Sequence, residues 1–396
     1  MPKKVLVLRF SPYDSNPNSY NIQEVGIGKA FCRMGYDYDH ICFRKKEPKE
    51  WVFYEHKGCK ARFIEYPRLR FFRWGINFDL CKKEFLNQYD IIICREYYQI
   101  MSYLISRNCD HASLYSGPYW NMFMFKFFSP VYDKLFTGAI NKNMKGKFVK
   151  SILAKDFLEK KGYTDIVNVG VGLDMERFDD DTDILEDTQN IVTYMKNHRC
   201  LLFIGDLCDN KNFPLLLETF RLVKTNHPDV KFVMIGKSRQ TAFKKLIGKN
   251  DDSYIAEILN KYPKSLTDDI LHIERVPNSQ LKYIYPLAKA FLLPSKLEIF
   301  GMVLLEAMYL GAPIITSKNG GSMTLIGNDG PGTMLESYNP IDWSNAVNKY
   351  LDNTVMVEKY KKDAYELVRN HYNWDVIAEK MITVINSKIP TKEKFC

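Results

Sequence analysis

Two glutamates separated by seven residues are candidates for binding hydroxyl groups. Glu298 follows an apolar run that predicts a buried strand, and Glu306 falls in the helical segment after it. A carboxylate that accepts hydrogen bonds from paired hydroxyls is the device by which dinucleotide sites hold a ribose. We therefore expect these two carboxylates to hold a sugar and a ribose, on either side of a diphosphate.

The turn between this strand and helix is suited to binding an anion. Pro294 and Ser295 end the strand, and Gly301 lets the backbone approach a ligand closely. Such a turn leaves backbone N–H groups unpaired at a helix N-terminus, at the carboxyl edge of a parallel sheet, where phosphates bind. The N–H groups expected to meet a diphosphate are those of Ile299, Phe300 and Gly301, and Met302 is expected to line the same site.

Short apolar runs alternate with helix-length segments along the chain. Continuous apolar strands between helices predict parallel sheets covered on both faces. The acidic stretch 179–183 predicts a linker or an exposed insertion. The fold class is therefore α/β, with two Rossmann-like doubly wound domains in tandem. The predicted strands are 5–8, 90–94, 112–116, 148–149 and 166–169, then 200–204, 231–235, 270–274, 290–293 and 313–316.

Composition excludes several classes of protein. The chain has 396 residues, of which 46% are hydrophobic and 26% charged, which excludes a disordered or fibrous protein. No apolar run reaches the ~18 residues of a membrane span, and the N-terminal run is too short for a signal peptide. Nine cysteines without a Cys-x-x-Cys pair predict reduced thiols and no structural zinc. We expect a cytoplasmic protein.

The excess of positive charge is confined to the first half. Residues 1–175 hold 28 Lys and Arg against 18 Asp and Glu, whereas the remainder is close to neutral. A one-sided field favours an anionic partner, namely a nucleic acid, a phosphorylated substrate or an acidic membrane surface. A solvated basic face is the alternative.

The stretch from Pro294 to Pro313 closely resembles the retaining family-4 glycosyltransferases of group 1, which have the GT-B fold. Its pattern is Pro-Ser-x-x-Glu-x-Phe-Gly followed by Glu-Ala-x-x-x-Gly-x-Pro. Further segments resemble the same family: Phe203-Ile204-Gly205 with Lys211-Asn212, Gly320-Gly321, and residues 170–178, 21–35 and 374–377.

The resemblance implies two Rossmann-like domains facing a cleft. The first, 1–172, would bind the acceptor, with 373–396 packing back on it, and the second, 173–372, would bind a nucleotide-sugar donor. The implied reaction is a metal-independent retaining transfer, from a UDP-sugar rather than a GDP-sugar. Its acceptor would be a saccharide linked to polyprenyl diphosphate, in surface polysaccharide synthesis. No cofactor and no nucleic acid are expected.

The resemblance also implies roles for residues. Glu298 and Lys211 would be catalytic, with Lys211 on the diphosphate, Glu298 on sugar hydroxyls and Glu306 on the ribose. The remaining donor-side residues would be Gly205, Asp206, Lys237, Arg275 and Val276. On the acceptor side they would be Tyr13, Asn21, Tyr115, Ser116 and Gly117.

Departures from the family pattern keep two alternatives open. Asp206 stands where relatives usually carry an arginine, so Lys237 or Arg275 would have to supply the second cation. Thr324 stands near the place of a usual glutamate. These changes are compatible with a non-catalytic GT-B subunit or scaffold that binds a sugar nucleotide or a partner glycosyltransferase. Another GT-B enzyme, such as a sugar-nucleotide epimerase, is disfavoured by the spacing of the two glutamates.

Aromatic clusters at 71–74 and 119–128 lie within the basic half. Aromatic side chains interleaved with Lys and Arg are typical of surfaces that dock on anionic lipid. We expect the first domain to sit on the inner face of the membrane. The alternative for 119–128 is a buried core helix.

Overall fold

The structure divides into two units, each with its own sheet. The computed structural model describes residues 2–10, 22–44, 49–71, 74–123, 127–179, 182–238 and 251–388. Unit 1 comprises Met1–Asp174 and Tyr372–Cys396, and unit 2 comprises Met175–His371. Both sheets are predominantly parallel and alternate with helices. The prediction of two Rossmann-like α/β domains is confirmed.

Ten strands lie in the described residues of unit 1. In chain order they are β1 (Lys3–Leu8), β2 (Tyr36–Arg44), β3 (Lys49–His56), β4 (Cys59–Pro67), β5 (Leu69–Phe71), β6 (Trp74–Ile76), β7 (Ile91–Arg95), β8 (Ala112–Ser116), β9 (Lys147–Val149) and β10 (Ile166–Asn168). The main sheet has the order β10-β9-β8-β7-β1-β2-β4-β3, and β5 pairs with β6 separately. Within the main sheet, β3 runs antiparallel to β4, and the other neighbours are parallel.

Strands β2, β3 and β4 were not predicted. The polar side chains in β2 interrupt its apolar pattern, but the structure shows that Asp39 is buried and paired. Two nitrogens of Arg62 on β4 donate to the Asp39 carboxylate at 2.7 Å, and the Tyr89 hydroxyl donates to it at 2.9 Å. Because these partners satisfy the carboxylate, the strand can lie inside the sheet.

The helices of unit 1 cover both faces of this sheet and include the C-terminal one. Trp374 packs against two glycines, and a Cβ atom at Gly26 or Gly172 would lie 2.1 or 2.6 Å from its ring. Arg33 Nη2 lies 2.7 Å from the Asp375 carboxylate. The C-terminal helix therefore belongs to unit 1. The helices are α1 (Gln23–Arg33), α2 (Lys83–Leu86), α3 (Ile100–Asn108), α4 (Phe128–Tyr132), α5 (Gly138–Asn143), α6 (Ile152–Glu159) and the C-terminal Trp374–Lys388, with a 3-10 turn at Phe78–Cys81 and a π-helical turn at Asp133–Thr137.

The described part of unit 2 has six strands, and each neighbouring pair is parallel. They are β11 (Cys200–Ile204), β12 (Lys231–Ile235), β13 (Ile270–Ile273), β14 (Ala288–Leu293), β15 (Ile314–Ser317) and β16 (Thr333–Leu335). Its helices are α7 (Glu176–Asp179), α8 (Glu186–Asn197), α9 (Phe213–Asn226), α10 (Asp251–Leu259), α11 (Lys264–Thr267), α12 (Met302–Tyr309), α13 (Gly320–Leu325), α14 (Pro340–Asp352) and α15 (Thr354–His371). The C-terminal helix of unit 1, Trp374–Lys388, is α16.

The strand order of unit 2 reverses at one point. The order is β13-β12-β11-β14-β15-β16, so the chain builds outward from β11 in one direction and from β14 in the other. Loops that leave two neighbouring strands in opposite directions open a crevice at the carboxyl edge, which is where α/β sheets bind ligands. The strand order therefore predicts a ligand site at the loops after β11 and β14.

Candidate functional site

The loop after β11 and the loop after β14 are joined by one asparagine. The Asn210 side chain donates to the Leu297 carbonyl at 2.9 Å and accepts from the Leu297 N–H at 3.1 Å. The Asn210 carbonyl accepts from the Lys296 N–H at 2.8 Å. These three bonds fix the backbone directly before Glu298. Sequence reasoning missed Asn210, although its position beside Lys211 was a usable signal.

Lys211 and Glu298 form an ion pair at the junction of these loops. Lys211 Nζ lies 2.5 Å from Glu298 Oε2. The side chains keep 16% and 22% of their surface exposed, so both remain reachable from solvent. An ammonium can exchange a carboxylate for a phosphate oxygen, and the released carboxylate can then accept hydroxyl protons. The structure thus brings together the two residues predicted to be catalytic.

The N-terminus of α12 opens beside Glu298. Gly301 is its N-cap, with φ at +81°, and glycine has no side chain that could cap the first turn. A Cβ atom at Gly301 would lie 3.1 Å from Glu298 Cγ. Phe300 is buried, whereas Ile299 and Met302 are half-buried. The arrangement has the backbone geometry and the dipole direction that favour an anion.

The Gly320-Gly321 turn supports the same loop from the other side. The Gly320 N–H donates to the Glu298 carbonyl at 3.2 Å. A Cβ atom at Gly321 would lie only 1.6 Å from the Phe300 carbonyl oxygen, so glycine is required for this approach. Asn319 and Ser322 close a capping box at the start of α13. Thr324 donates to the Gly320 carbonyl at 2.9 Å and so serves the turn itself.

Glu306 lies deeper than a surface ribose contact would require. It is fully buried in α12, and its Oε2 lies 3.5 Å from the Tyr285 hydroxyl. Burial and the neighbouring Glu306 charge raise the pKa of Tyr285 well above its usual range. Tyr285 was not predicted. The contact of Glu306 with a ribose remains a prediction. Tyr285 is an additional buried residue that lies beside the Glu306 carboxylate.

The other predicted donor-side residues lie around the same edge. A Cβ atom at Gly236 would lie 1.8 Å from the Gly205 carbonyl oxygen, so the ends of β11 and β12 approach closely there. Asp206 is half-buried after β11, and Val276 is half-buried after β13. Lys237 and Arg275 are exposed after β12 and β13, at the carboxyl edge where the prediction needs a second cation.

The predicted acceptor-side residues are described in part. Tyr13 and Asn21 lie outside the described residues. The Tyr115 hydroxyl donates to the Gly170 carbonyl at 2.6 Å, so it joins β8 to the segment that follows β10. Ser116 Oγ and the Gly117 N–H both donate to the Glu96 carboxylate at 3.1 Å.

Among the described residues, none of the His, Cys, Asp and Glu side chains form a group of three that could hold a metal ion. The eight described cysteines form no disulfide with one another, and seven of them are buried. Within the same ranges, none of the helices is long and apolar enough to cross a bilayer.

Part of unit 2 is similar to a known protein family. The family model of glycosyl transferases group 1 matches residues 186–367, which include both loops and α12. The matched segment is less than half of the chain, and it contains Lys211, Glu298 and Glu306.

Several characterised or named proteins are similar to this chain. A putative glycosyltransferase, YtcC of Bacillus subtilis, is 24% identical over 255 residues, covering 63% of this chain and 60% of that protein. Mannosylfructose-phosphate synthase of Agrobacterium fabrum is 22% identical over 196 residues, covering 48% of this chain and 41% of that protein. The chain therefore spans about half the length of these relatives.

Solved structures share the fold over nearly the whole chain. A glycosyltransferase from Rickettsia africae aligns with a TM-score of 0.71 at 14% identity, covering 98% of this chain and 99% of that chain. The Anabaena protein HepE, in complex with UDP and glucose, aligns with a TM-score of 0.66 at 13% identity, covering 97% and 100%. At these identities the likeness shows the fold, which is that of the GT-B glycosyltransferases.

Proposed function

We propose that this protein is a retaining glycosyltransferase that moves a sugar from a nucleotide-sugar donor to a saccharide acceptor without a metal ion. The observation that carries the proposal is the Lys211–Glu298 pair beside the N-terminus of α12. It supplies a cation and backbone donors for a diphosphate, and a carboxylate for hydroxyls, at one point of the sheet edge.

In this proposal the donor replaces the internal ion pair. The diphosphate takes Lys211 and the N–H groups of Ile299 to Met302, and Glu298 turns to the hydroxyls of the sugar. As the bond between the anomeric carbon and the diphosphate breaks, negative charge grows on the leaving oxygen. Lys211 and the helix N-terminus stabilise that charge more in the transition state than in the ground state, which lowers the barrier. The acceptor oxygen bonds to the anomeric carbon on the leaving-group face, and its proton goes to the departing diphosphate.

A UDP-sugar is the favoured donor. Two solved structures with the same fold contain UDP with glucose and UDP-2-fluoro glucose. The ribose would lie toward Glu306, and Asp206 would turn away from the phosphates while Lys237 or Arg275 supplies positive charge. We infer that the acceptor belongs to surface polysaccharide synthesis and is linked to a polyprenyl diphosphate.

Exposed apolar side chains in unit 1 support docking on the inner face of the membrane. Phe127 is 65% exposed and stacks on Phe128, and the hairpin of β5 and β6 exposes Leu69 and Phe71. Tyr119, Met122 and Phe123 instead pack against the core, so only part of the predicted aromatic cluster is surface. Residues 72–73 and 124–126 of that cluster lie outside the described residues.

Membrane docking is tested by sedimentation with liposomes. We expect binding that requires anionic lipid, fades with salt, and weakens when Phe127 and Phe128 are both replaced by Ser. Val355→Ser is the matched control, because Val355 is 82% exposed in unit 2. Absence of binding to anionic liposomes at low salt contradicts docking and favours a soluble acceptor.

Transfer itself is tested with a panel of donors. UDP- and GDP-sugars are screened by thermal shift, and the stabilising donor is incubated with a polyprenyl-diphosphate sugar in the presence of EDTA. We expect nucleotide release and a product with the anomeric configuration of the donor. Donor binding without transfer to any acceptor would favour the non-catalytic subunit, and an isomerised sugar nucleotide would favour an epimerase.

A further inference from the structure

A second group of charged side chains lies at the carboxyl edge of the sheet in unit 1. Arg9 follows β1, Arg95 and Glu96 lie at the end of β7, and Lys150 follows β9. Because β1, β7, β8 and β9 are parallel neighbours in register, their carboxyl ends meet at one edge. None of these four residues was singled out in the sequence.

Arg95 is buried with donors left unused. Its side chain is 7% exposed, and its Nη2 donates to Gln23 Oε1 at 3.1 Å. Nη1 lies 3.2 Å from Glu24 Oε1, yet within the described part of the chain neither Nη1 nor Nε makes a hydrogen bond. A guanidinium carries five donors, and unsatisfied buried donors are costly. Nη1 and Nε can therefore donate to oxygen atoms of a ligand.

Lys150 is a second buried cation next to Arg95. It is 6% exposed, with Nζ 3.6 Å from Glu96 Oε1. Both cations lie over the Tyr115 ring, Arg95 at 4.9 Å and Lys150 at 5.4 Å from its centroid. Burial, and then the charge of Arg95, lower the pKa of Lys150 to about 8, whereas Glu96 opposes this shift.

The backbone at this edge is also unusual. Glu96 has φ at +70°, a conformation that non-glycine residues rarely adopt and that clusters at functional sites. In this conformation its carboxylate reaches Ser116 and the Gly117 N–H. The Glu96 carboxylate thus contacts both the end of β8 and the Lys150 ammonium.

The charges in this cluster do not balance. Within the part of the chain that the structure describes, Arg9, Arg95 and Lys150 pair with two carboxylates, those of Glu24 and Glu96. Burial lowers the pKa of the neighbouring His40 to about 4, so His40 is neutral at pH 7. Arg9, 44% exposed and 3.9 Å from Glu24, opens the cluster to solvent. An excess positive charge that solvent can reach favours an anion.

We infer that Arg95 and Lys150 form a phosphate-binding site in unit 1 that holds a phosphoryl group of the acceptor. The inference rests on the proposed transfer function and makes its acceptor a phosphorylated one. The planar guanidinium offers paired donors to phosphate oxygens, and the ammonium adds a compact charge. A sugar phosphate and a polyprenyl diphosphate are two sources of the same group.

The site is tested by titrating the full chain with pyrophosphate. A Lys211→Ala background removes the predicted diphosphate contact of unit 2, so the remaining binding reports unit 1. We expect Lys150→Met to weaken pyrophosphate binding at least tenfold and Lys150→Arg to retain it. Lys147→Met is the matched control. Lys147 is buried like Lys150 and begins β9, but its Nζ donates to the Asn141 carbonyl. Equal affinity with and without Lys150→Met would overturn the site, as would an equal loss in the control.

If Lys150→Met does not fold, the pH dependence of pyrophosphate affinity tests the role of Lys150 instead. In the Lys211→Ala protein, pyrophosphate affinity should fall as the pH rises from 7 to 9, because Lys150 loses its proton. The Lys150→Arg version should lose this dependence, since arginine stays charged. The same dependence in both proteins would overturn the role of Lys150.

Two further experiments are needed. One distinguishes a sugar phosphate from a polyprenyl diphosphate as the ligand, and the other distinguishes the phosphate site from the proposed transfer function. Glucose 6-phosphate and geranyl diphosphate are titrated in place of pyrophosphate, and the tighter ligand identifies a soluble or a lipid-linked acceptor. With Lys211 intact, Lys150→Met should leave UDP affinity unchanged. Failure of wild-type protein to bind nucleotide sugars, with the Lys150 effect present, would reject transfer and keep the anion site.

Discussion

Asn210 offers a sharp test of how the loop after β14 is positioned. Its side chain makes two hydrogen bonds to the backbone of Leu297, one residue before Glu298. Asn210→Ala removes both bonds and leaves the Lys211–Glu298 pair chemically intact. A typical intramolecular hydrogen bond contributes about 0.5–1.5 kcal/mol, so the loop loses about 1–3 kcal/mol of its preference for this position.

The expected consequence is a kinetic one. If that energy holds Glu298 in place for the transition state, kcat/KM should fall about 5- to 150-fold, since about 1.4 kcal/mol corresponds to a factor of ten. UDP affinity should change by less than threefold, because Lys211 and the N-terminus of α12 remain. The assay is steady-state sugar transfer with the donor found by thermal shift, alongside calorimetry with UDP.

Asn141 provides the matched control in unit 1. Its side chain likewise bridges backbone groups, donating to the Gly162 carbonyl at 3.3 Å and accepting from the Thr164 N–H at 3.0 Å. Asn141→Ala should cost similar stability and leave kcat/KM unchanged. Wild-type turnover in Asn210→Ala, or the same loss of turnover in both variants, would refute the positioning role of Asn210.

Three further changes test separate parts of the structure. Glu306→Gln keeps the shape of the side chain beside Tyr285 but removes its charge, so calorimetry should show weaker binding of both uridine and UDP; unchanged affinities would remove Glu306 from the ribose site. Gly321→Ala forces the backbone away from the Phe300 carbonyl, which should cost about 1–3 kcal/mol of stability by urea unfolding and weaken UDP binding, whereas Gly138→Ala, in open space on α5, should be neutral. Lys150 has a pKa of about 8 when folded and about 10.4 when unfolded, so the unfolded state binds more protons between these values. The free energy of unfolding of wild type relative to Lys150→Met should therefore rise between pH 8 and pH 10, and a constant difference would contradict the buried charge.

The α/β architecture was predictable because buried parallel strands are continuously apolar. β11 and β14 read directly as Leu- and Phe-rich runs, and the loops after them carry Lys211 and Glu298. Strand β2 was missed because its buried Asp39 is satisfied by Arg62 and Tyr89, which are distant in sequence. A polar residue paired by a remote partner leaves no local pattern.

The same reason explains which site residues were missed. The spacing of Glu298 and Glu306 is visible in one helix and one turn, but the contact of Asn210 with Leu297 spans 87 residues. The cluster of Arg95, Glu96 and Lys150 depends on the register of three strands and on the left-handed backbone of Glu96. Such features appear only when the sheet is assembled.

The central claim, that a diphosphate binds at Lys211 beside the N-terminus of α12, is tested most directly by calorimetry with UDP and uridine. Wild-type protein should bind UDP more tightly than uridine, because only UDP carries the diphosphate. In Lys211→Ala this advantage should shrink at least tenfold while uridine affinity stays the same, whereas Lys349→Ala, at an exposed lysine of α14, should preserve the advantage. An unchanged advantage of UDP over uridine in Lys211→Ala would contradict the claim.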